Sequence, residues 1–160
     1  MPTRDEILRN IGLKTAESDT LTIYCNNPLM QEVVGAQRPR ITTIGGKGRA
    51  YTAEKHRKAL QHIVNVYSQQ FNTFTHAADT RPVIVELYVQ RKYPSSKPKK
   101  NEGEQDIFKP DIDNIAKLVL DGLNGLAYKD DSQVVGLVAC KCPRIGTADF
   151  IQVRISYCNK

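Results

Sequence analysis

The sequence contains no tryptophan. It has no apolar run approaching the ~20 residues that span a bilayer, so a membrane-spanning helix is excluded. The opening MPTRDEILRN is polar and unlike a secretory signal, so the cytoplasm is the expected location. Its four cysteines (Cys25, Cys140, Cys142 and Cys158) form no C-x-x-C pair. No recognised zinc spacing joins them to His56, His62 or His76. Free, mostly buried thiols are expected instead of disulfides. A P-loop is also excluded. Gly45-Gly46-Lys47 is followed by Gly48, not serine or threonine, and the earlier glycine of the pattern is missing.

What is there is an ordinary globular composition with a basic balance. Apolar residues are 40% of the 160, charged residues 25%, and the net charge is +6. That length suggests one folded domain with a proper core. The charge favours an anionic partner, nucleic acid before a membrane surface. No segment combines a basic amphipathic helix with bulky apolar anchors, so no membrane partner is expected.

The pattern of elements points to an α/β (α+β) fold. Residues 1–19 read as an appendage: Thr3 to Glu6 fits a capping box, Ile7, Leu8 and Ile11 give a short apolar face, and Gly12 stops the helix. The single domain is expected over 20–160. Leu21 to Cys25 reads as a strand. Residues 26–50 read as a loop carrying Arg38, Arg40, Lys47 and Arg49, either solvated or meeting phosphate. Residues 53–71 repeat Leu60, Ile63, Val64, Tyr67 and Phe71 at helical steps; Lys55, Arg57 and Lys58 form the opposite, solvated face. VIVELYVQ (83–90) is a strand. RKYPSSKPKK reads as a mobile basic loop. Residues 111–126 form a second core helix on Ile115, Leu118, Val119, Leu123 and Leu126. Strands at 133–141 and 149–157 are expected to close as a hairpin. The expected order is β-α-β-α-β-β, a small mixed sheet packed by two main helices, behind a short N-terminal helix.

Around that second helix a basic protein gathers acids: Asp111 and Asp113 at its start, Asp130 and Asp131 after it. Helix-start acids are ordinary where free N–H groups face outward. Asp-Asp-Ser is good turn chemistry, and one of that pair is expected to do only that. The functional reading brings Asp111, Asp113 and Asp131 together, since a one-helix excursion returns toward its start. Three carboxylates make an all-oxygen site suited to Mg²⁺, with Mn²⁺ as a substitute. Such a metal neutralises charge on a phosphodiester and lowers the pKa of a water. Lys117 shares a face with Asp113, either as an i,i+4 ion pair or as a cation meeting phosphate. Arg38, Arg40 and Arg49, with Lys97, Lys99 and Lys100 of the basic loop, are candidate phosphate contacts.

The string D-I-D-N-I-A-K-x₃-D-G-L-N-G followed by Y-K-D-D-S-Q-V-V, within Lys109 to Val135, resembles the signature of RusA-type Holliday-junction resolvases. Looser echoes are Arg38-Pro39-Arg40 and Arg49 to Thr52. The resemblance implies catalytic roles for Asp111, Asp113, Lys117 and Asp131, with the three aspartates as metal ligands. It places Lys109 at the basic position before the first aspartate, among the DNA contacts. It implies a homodimeric, Mg²⁺-dependent endonuclease nicking four-way DNA junctions in recombination and repair, leaving 5′-phosphate and 3′-hydroxyl ends. Such resolvases often travel on phage genomes. Residues 1–19 and the 91–108 connection depart from the family pattern, which bears on substrate preference and dimer geometry. Two other readings use the same residues: a general branched- or single-strand nuclease, and a catalytically inactive DNA-binding module.

Overall fold

In chain order the elements are α1 (Arg4–Asn10), β1 (Lys14–Tyr24), β2 (Arg40–Ile44), β3 (Lys47–Tyr51), α2 (Glu54–Gln70), β4 (Val83–Gln90), α3 (Ile112–Leu123), β5 (Val134–Lys141) and β6 (Phe150–Asn159). Single 3₁₀ turns lie at Lys99–Asn101 and Asp131–Gln133. These assignments come from a computed structural model describing residues 1–38, 40–51 and 53–159, with backbone alone at 4, 40, 42, 44 and 49–51.

β4 decides the architecture. Its run VIVELYVQ is buried at Val83, Ile84, Val85, Glu86, Leu87 and Val89. A strand that apolar belongs inside a sheet, with partners on both edges. It pairs in parallel with β5 and antiparallel with β6, and the four-stranded sheet runs β1-β6-β4-β5. The expected β5–β6 hairpin is therefore corrected: β4 lies between them. β5 follows a helical crossover and must run parallel to β4, which leaves β4's other edge for β6.

One sheet face is covered by α2 and α3. Ile63 and Tyr67 of α2 and Ile115, Leu118, Val119 and Leu123 of α3 are wholly buried there. The helices cross closely at Gly122, where an added Cβ would sit 2.8 Å from Ile63 Cγ2. On α1, Thr3 and Glu6 form the capping box, and Gly12 follows at φ +73°. Leu8 and Leu13 join Ile84 and Cys158 in a separate small cluster.

β1 begins at Lys14, well ahead of the expected LTIYC, and pairs with β6 along its length. Its first half is polar and exposed, held by the backbone ladder. β2 and β3 form a hairpin inside the segment read as loop, closed by Gly45 and Gly46 at φ +58° and +76°. Two consecutive positive φ values match the turn that suits the twist of a hairpin. All four cysteines are free; Cys25 and Cys158 are buried and Cys140 is exposed. Burial, reinforced by nearby Asp149, pushes the Cys25 thiol up to about 12. No helix among the described residues is long and apolar enough to cross a membrane.

Candidate active site

α3 begins at Asp111, its N-cap, with Ile115 N–H donating to Asp111 O at 3.1 Å. An aspartate at this position usually accepts a hydrogen bond from the first turn. Asp111 does not: its side chain makes no capping bond. Asp111 lines a cavity of about 460 Å³ with Glu32, Lys55, Arg91, Lys109 and Asn114. Asp113 lies exposed in the first turn. Among the described residues, neither carboxylate has an ion-pair partner.

The approach to Asp111 is clamped from below. The Asp106 side chain has no exposed surface and takes two hydrogen bonds from Arg91 Nη1, at 3.1 and 3.2 Å. The same Nη1 donates to Lys109 O at 2.9 Å. Lys141 Nζ sits 3.6 Å from Asp106 Oδ1 and donates to the carbonyls of Pro110, at 3.1 Å, and Phe108. One buried carboxylate thus anchors two cations that hold three consecutive carbonyls ahead of Asp111. On the other side, Gly35 packs where a Cβ would lie 2.9 Å from Asn114 Cβ. Ala36 N–H donates to Asn114 O at 2.8 Å.

Lys117 pairs with Asp121 at 3.4 Å, one turn further on, and not with Asp113. Asp113, Lys117 and Asp121 form one stripe at four-residue steps, and the motif's later aspartate takes the lysine. Arg38, Lys99, Lys100 and Lys109 are exposed. Lys97 is engaged: its Nζ bonds Glu104 at 2.6 Å and lies 4.6 Å from the Phe108 ring centre. The side chains of Arg40 and Arg49, with Pro39 and Thr52 whole, lie outside the described residues. The 91–108 connection, read as mobile, is tied down. Gly103 N–H donates to Arg144 O at 2.8 Å and Tyr93 O–H to Pro98 O at 2.9 Å.

Asp130 is the turn-former of its pair. It accepts from Ser132 N–H at 3.2 Å, and its own N–H donates to Gln133 Oε1 at 2.9 Å. The Ser132 contacts hold its carboxyl below its usual range. Asp131 is exposed. Burial raises the pKa of Tyr128, and the charges of Asp131, Asp121 and Asp130 add to the rise.

Asp131 does not approach Asp111 within one chain, and that expectation is corrected. Lys141, the last residue of β5, touches Pro110; Asp131 precedes the first residue of β5. The two sites sit at opposite ends of a strand of eight residues, about 26 Å at ~3.3 Å per residue. Parallel strands explain this. A helical crossover returns the chain to the starting end of the sheet, so Asp111 and Asp131 mark the two ends of α3.

Beside the Asp131 end lies a cluster that no local motif announces. Ligand atoms of Glu17, His76 and Asp79 fall within 4.8 Å of one another. Arg81 already fills it: its Nη2 bonds Asp79 at 2.7 Å and also Glu17. These Arg81 bonds, foremost among the causes, hold the Asp79 carboxyl well below the carboxylate range. Gln133 Nε2 donates to Asp79 O and Arg81 O at 2.7 and 2.9 Å, fastening the Asp131 turn to this base. Its residues come from two distant stretches of chain, so periodicity and spacing carried no sign of it.

The endodeoxyribonuclease RusA family model matches residues 31–155. An uncharacterized Bacillus subtilis (strain 168) protein, YqaN, is 37% identical in a 118-residue alignment that covers 69% of this chain and 81% of that protein. The family match spans β2 to β6, including both ends of α3. The chain belongs to the RusA endodeoxyribonuclease family.

Proposed function

We propose that the protein is a Mg²⁺-dependent, structure-specific endodeoxyribonuclease that resolves four-way DNA junctions as a homodimer, by paired symmetric nicks. The observation that carries this reading is the Asp111 carboxylate, placed at a helix start yet unused as a cap and open to a cation-lined cavity. Asp111, Asp113 and Asp131 offer only oxygen donors, and among the described residues the first two have no ion-pair partner. That donor set fits Mg²⁺ or Mn²⁺. The chemistry such an ion supplies is charge neutralisation at the scissile phosphate and a lowered pKa for a water. Lys117, exposed on the helix face of Asp113, brings a cation to the developing charge once phosphate draws it from Asp121. Arg38, Lys99, Lys100 and Lys109 extend the positive surface toward flanking phosphates.

The separation of Asp111 from Asp131 supports a site shared by two chains. β5 is an edge strand whose Val135, Leu137 and Val138 are about half exposed. An exposed apolar edge invites pairing with another strand. Two β5 strands paired antiparallel about a two-fold axis set the start of one beside the end of the other. Asp131 of each subunit then meets Asp111 and Asp113 of its partner. Two such sites match the near two-fold symmetry of a four-way junction.

The test is nicking of a synthetic four-way junction, with Mg²⁺ or EDTA, by wild type and Asp113→Asn, beside duplex and single-strand controls. Symmetric Mg²⁺-dependent nicks that vanish in the variant support the reading. Equal cutting of all substrates leaves a general nuclease; tight binding without nicking leaves a DNA-binding module.

A further inference from the structure

The cavity beside Asp111 does not end there. It shares Glu32, Val34 and Lys55 with a second cavity of about 630 Å³, which Lys58 and Lys92 also line. That one shares Gln31 and Lys92 with a third, of about 220 Å³, which reaches Tyr24. The three form one trough running from the start of α3, along the first turns of α2, to the end of β1. The α2 lysines that read from sequence as a solvated face are its wall.

Its chemistry alternates in a recognisable way. Among the described residues, Lys55 and Lys58 hold exposed partners, Glu32 and, at 3.1 Å, Glu54. Exposed pairs of this kind are weak and yield to a better anion. Lys92 has no ion-pair partner among the described residues. Lys55 above all, with Arg91 and Lys92, holds the Glu32 carboxyl below its usual range, which marks the trough as electropositive. At the far end Tyr24 is 53% exposed, its ring tilted against Phe150 at 5.8 Å. The floor is rigid: buried Asp149 accepts from Lys92 N–H at 2.6 Å and Val33 N–H at 3.3 Å. Cations along a groove that ends on an exposed aromatic side chain make the arrangement that binds unpaired nucleic acid, phosphates on the cations and a base on the ring.

We propose that this trough binds a single DNA strand, with Lys55, Lys58 and Lys92 on its phosphates and Tyr24 stacked on a base, leading that strand to Asp111. The proposal rests on the nuclease reading only for the direction of the strand. It gives the enzyme a place for nucleotides unpaired at the branch point, separate from contacts to duplex arms.

The probe is a short oligothymidylate carrying one 2-aminopurine, bound to the full chain in EDTA so that nothing is cut. Lys58→Ala and Lys92→Ala are expected each to lower the salt slope of binding by about 0.7. Tyr24→Ala is expected to weaken binding about five-fold to a hundred-fold and to abolish 2-aminopurine quenching, with Tyr24→Phe restoring both. Circular dichroism and urea unfolding check that each variant is folded. Unchanged slopes and quenching in folded variants overturn the proposal, as does an equal loss for blunt duplex. Junction nicking is scored separately. Trough variants that lose oligonucleotide binding support the trough even if the wild type nicks nothing, and intact nicking with unchanged binding in the variants discards the trough alone.

Discussion

Lys141 and Pro110 tie the far end of β5 to the entrance of α3: the lysine ammonium donates to the Pro110 carbonyl at 3.1 Å, directly before Asp111. The contact fixes which end of the sheet carries Asp111 and Asp113, the first two aspartates of the proposed site. It also fixes how far away the third lies, since Asp131 sits before the other end of the same strand.

Removing the anchor of that clamp should be costly. Asp106 is buried beneath Arg91 and Lys141, so Asp106→Ala leaves two cations without their carboxylate. Breaking a buried pair in this way costs about 3–5 kcal/mol. Urea unfolding should show that loss. A destabilisation under 1 kcal/mol would mean that water reaches the clamp.

The contact between α2 and α3 depends on a missing side chain. Gly122→Ala drives a methyl against Ile63 and is expected to cost about 1–3 kcal/mol, as overpacking does. Ile63→Ala in the same chain removes the Cγ2 and Cδ1 that the methyl meets and should recover part of it. Strict additivity of the two changes in urea unfolding would contradict this packing account.

Acid should loosen the base of the Asp131 turn. The folded-state pKa of Asp79 is depressed by Arg81, so its stabilisation is present above its unfolded pKa and is lost as pH falls through the folded value. Asp79→Asn should be less stable at neutral pH, with a shallower decline of stability below pH ~4. A variant with the wild-type acid limb would assign that limb to other carboxylates.

The open edge of β5 should govern assembly. Leu137→Arg with Val138→Arg places charge on two half-exposed positions without opening the core. Sedimentation should show a folded monomer that no longer nicks junctions. A dimer that survives both changes would move the interface elsewhere.

Much of this was legible from residues alone, for local reasons. VIVELYVQ reads as a strand, and Ile115, Leu118, Val119 and Leu123 read as one face of a helix. That one of Asp130 and Asp131 serves a turn follows from Asp-Asp-Ser; that it is Asp130 shows in its bonds to Ser132 and Gln133. The rest depends on long-range pairing. The exposed first half of β1 carries no apolar alternation, because β6's backbone holds it. The β2–β3 hairpin showed only in Gly45-Gly46, which the eye reads as loop. Strand order is invisible locally, so neither the split of β5 from β6 nor the distance between Asp111 and Asp131 was readable. Lys117 pairs with Asp121 and not with Asp113, a choice that spacing leaves open because both lie four residues away.

The most direct measurement is a mixed-dimer complementation. Asp113→Asn and Asp131→Asn chains, carrying different tags, are co-expressed and the heterodimer is purified. Each homodimer should be inert on a four-way junction. The heterodimer should regain one intact site and make single Mg²⁺-dependent nicks, because both substitutions fall in the same composite site and leave the other whole. A heterodimer as inert as its parents would contradict the shared site and return all three aspartates to one chain.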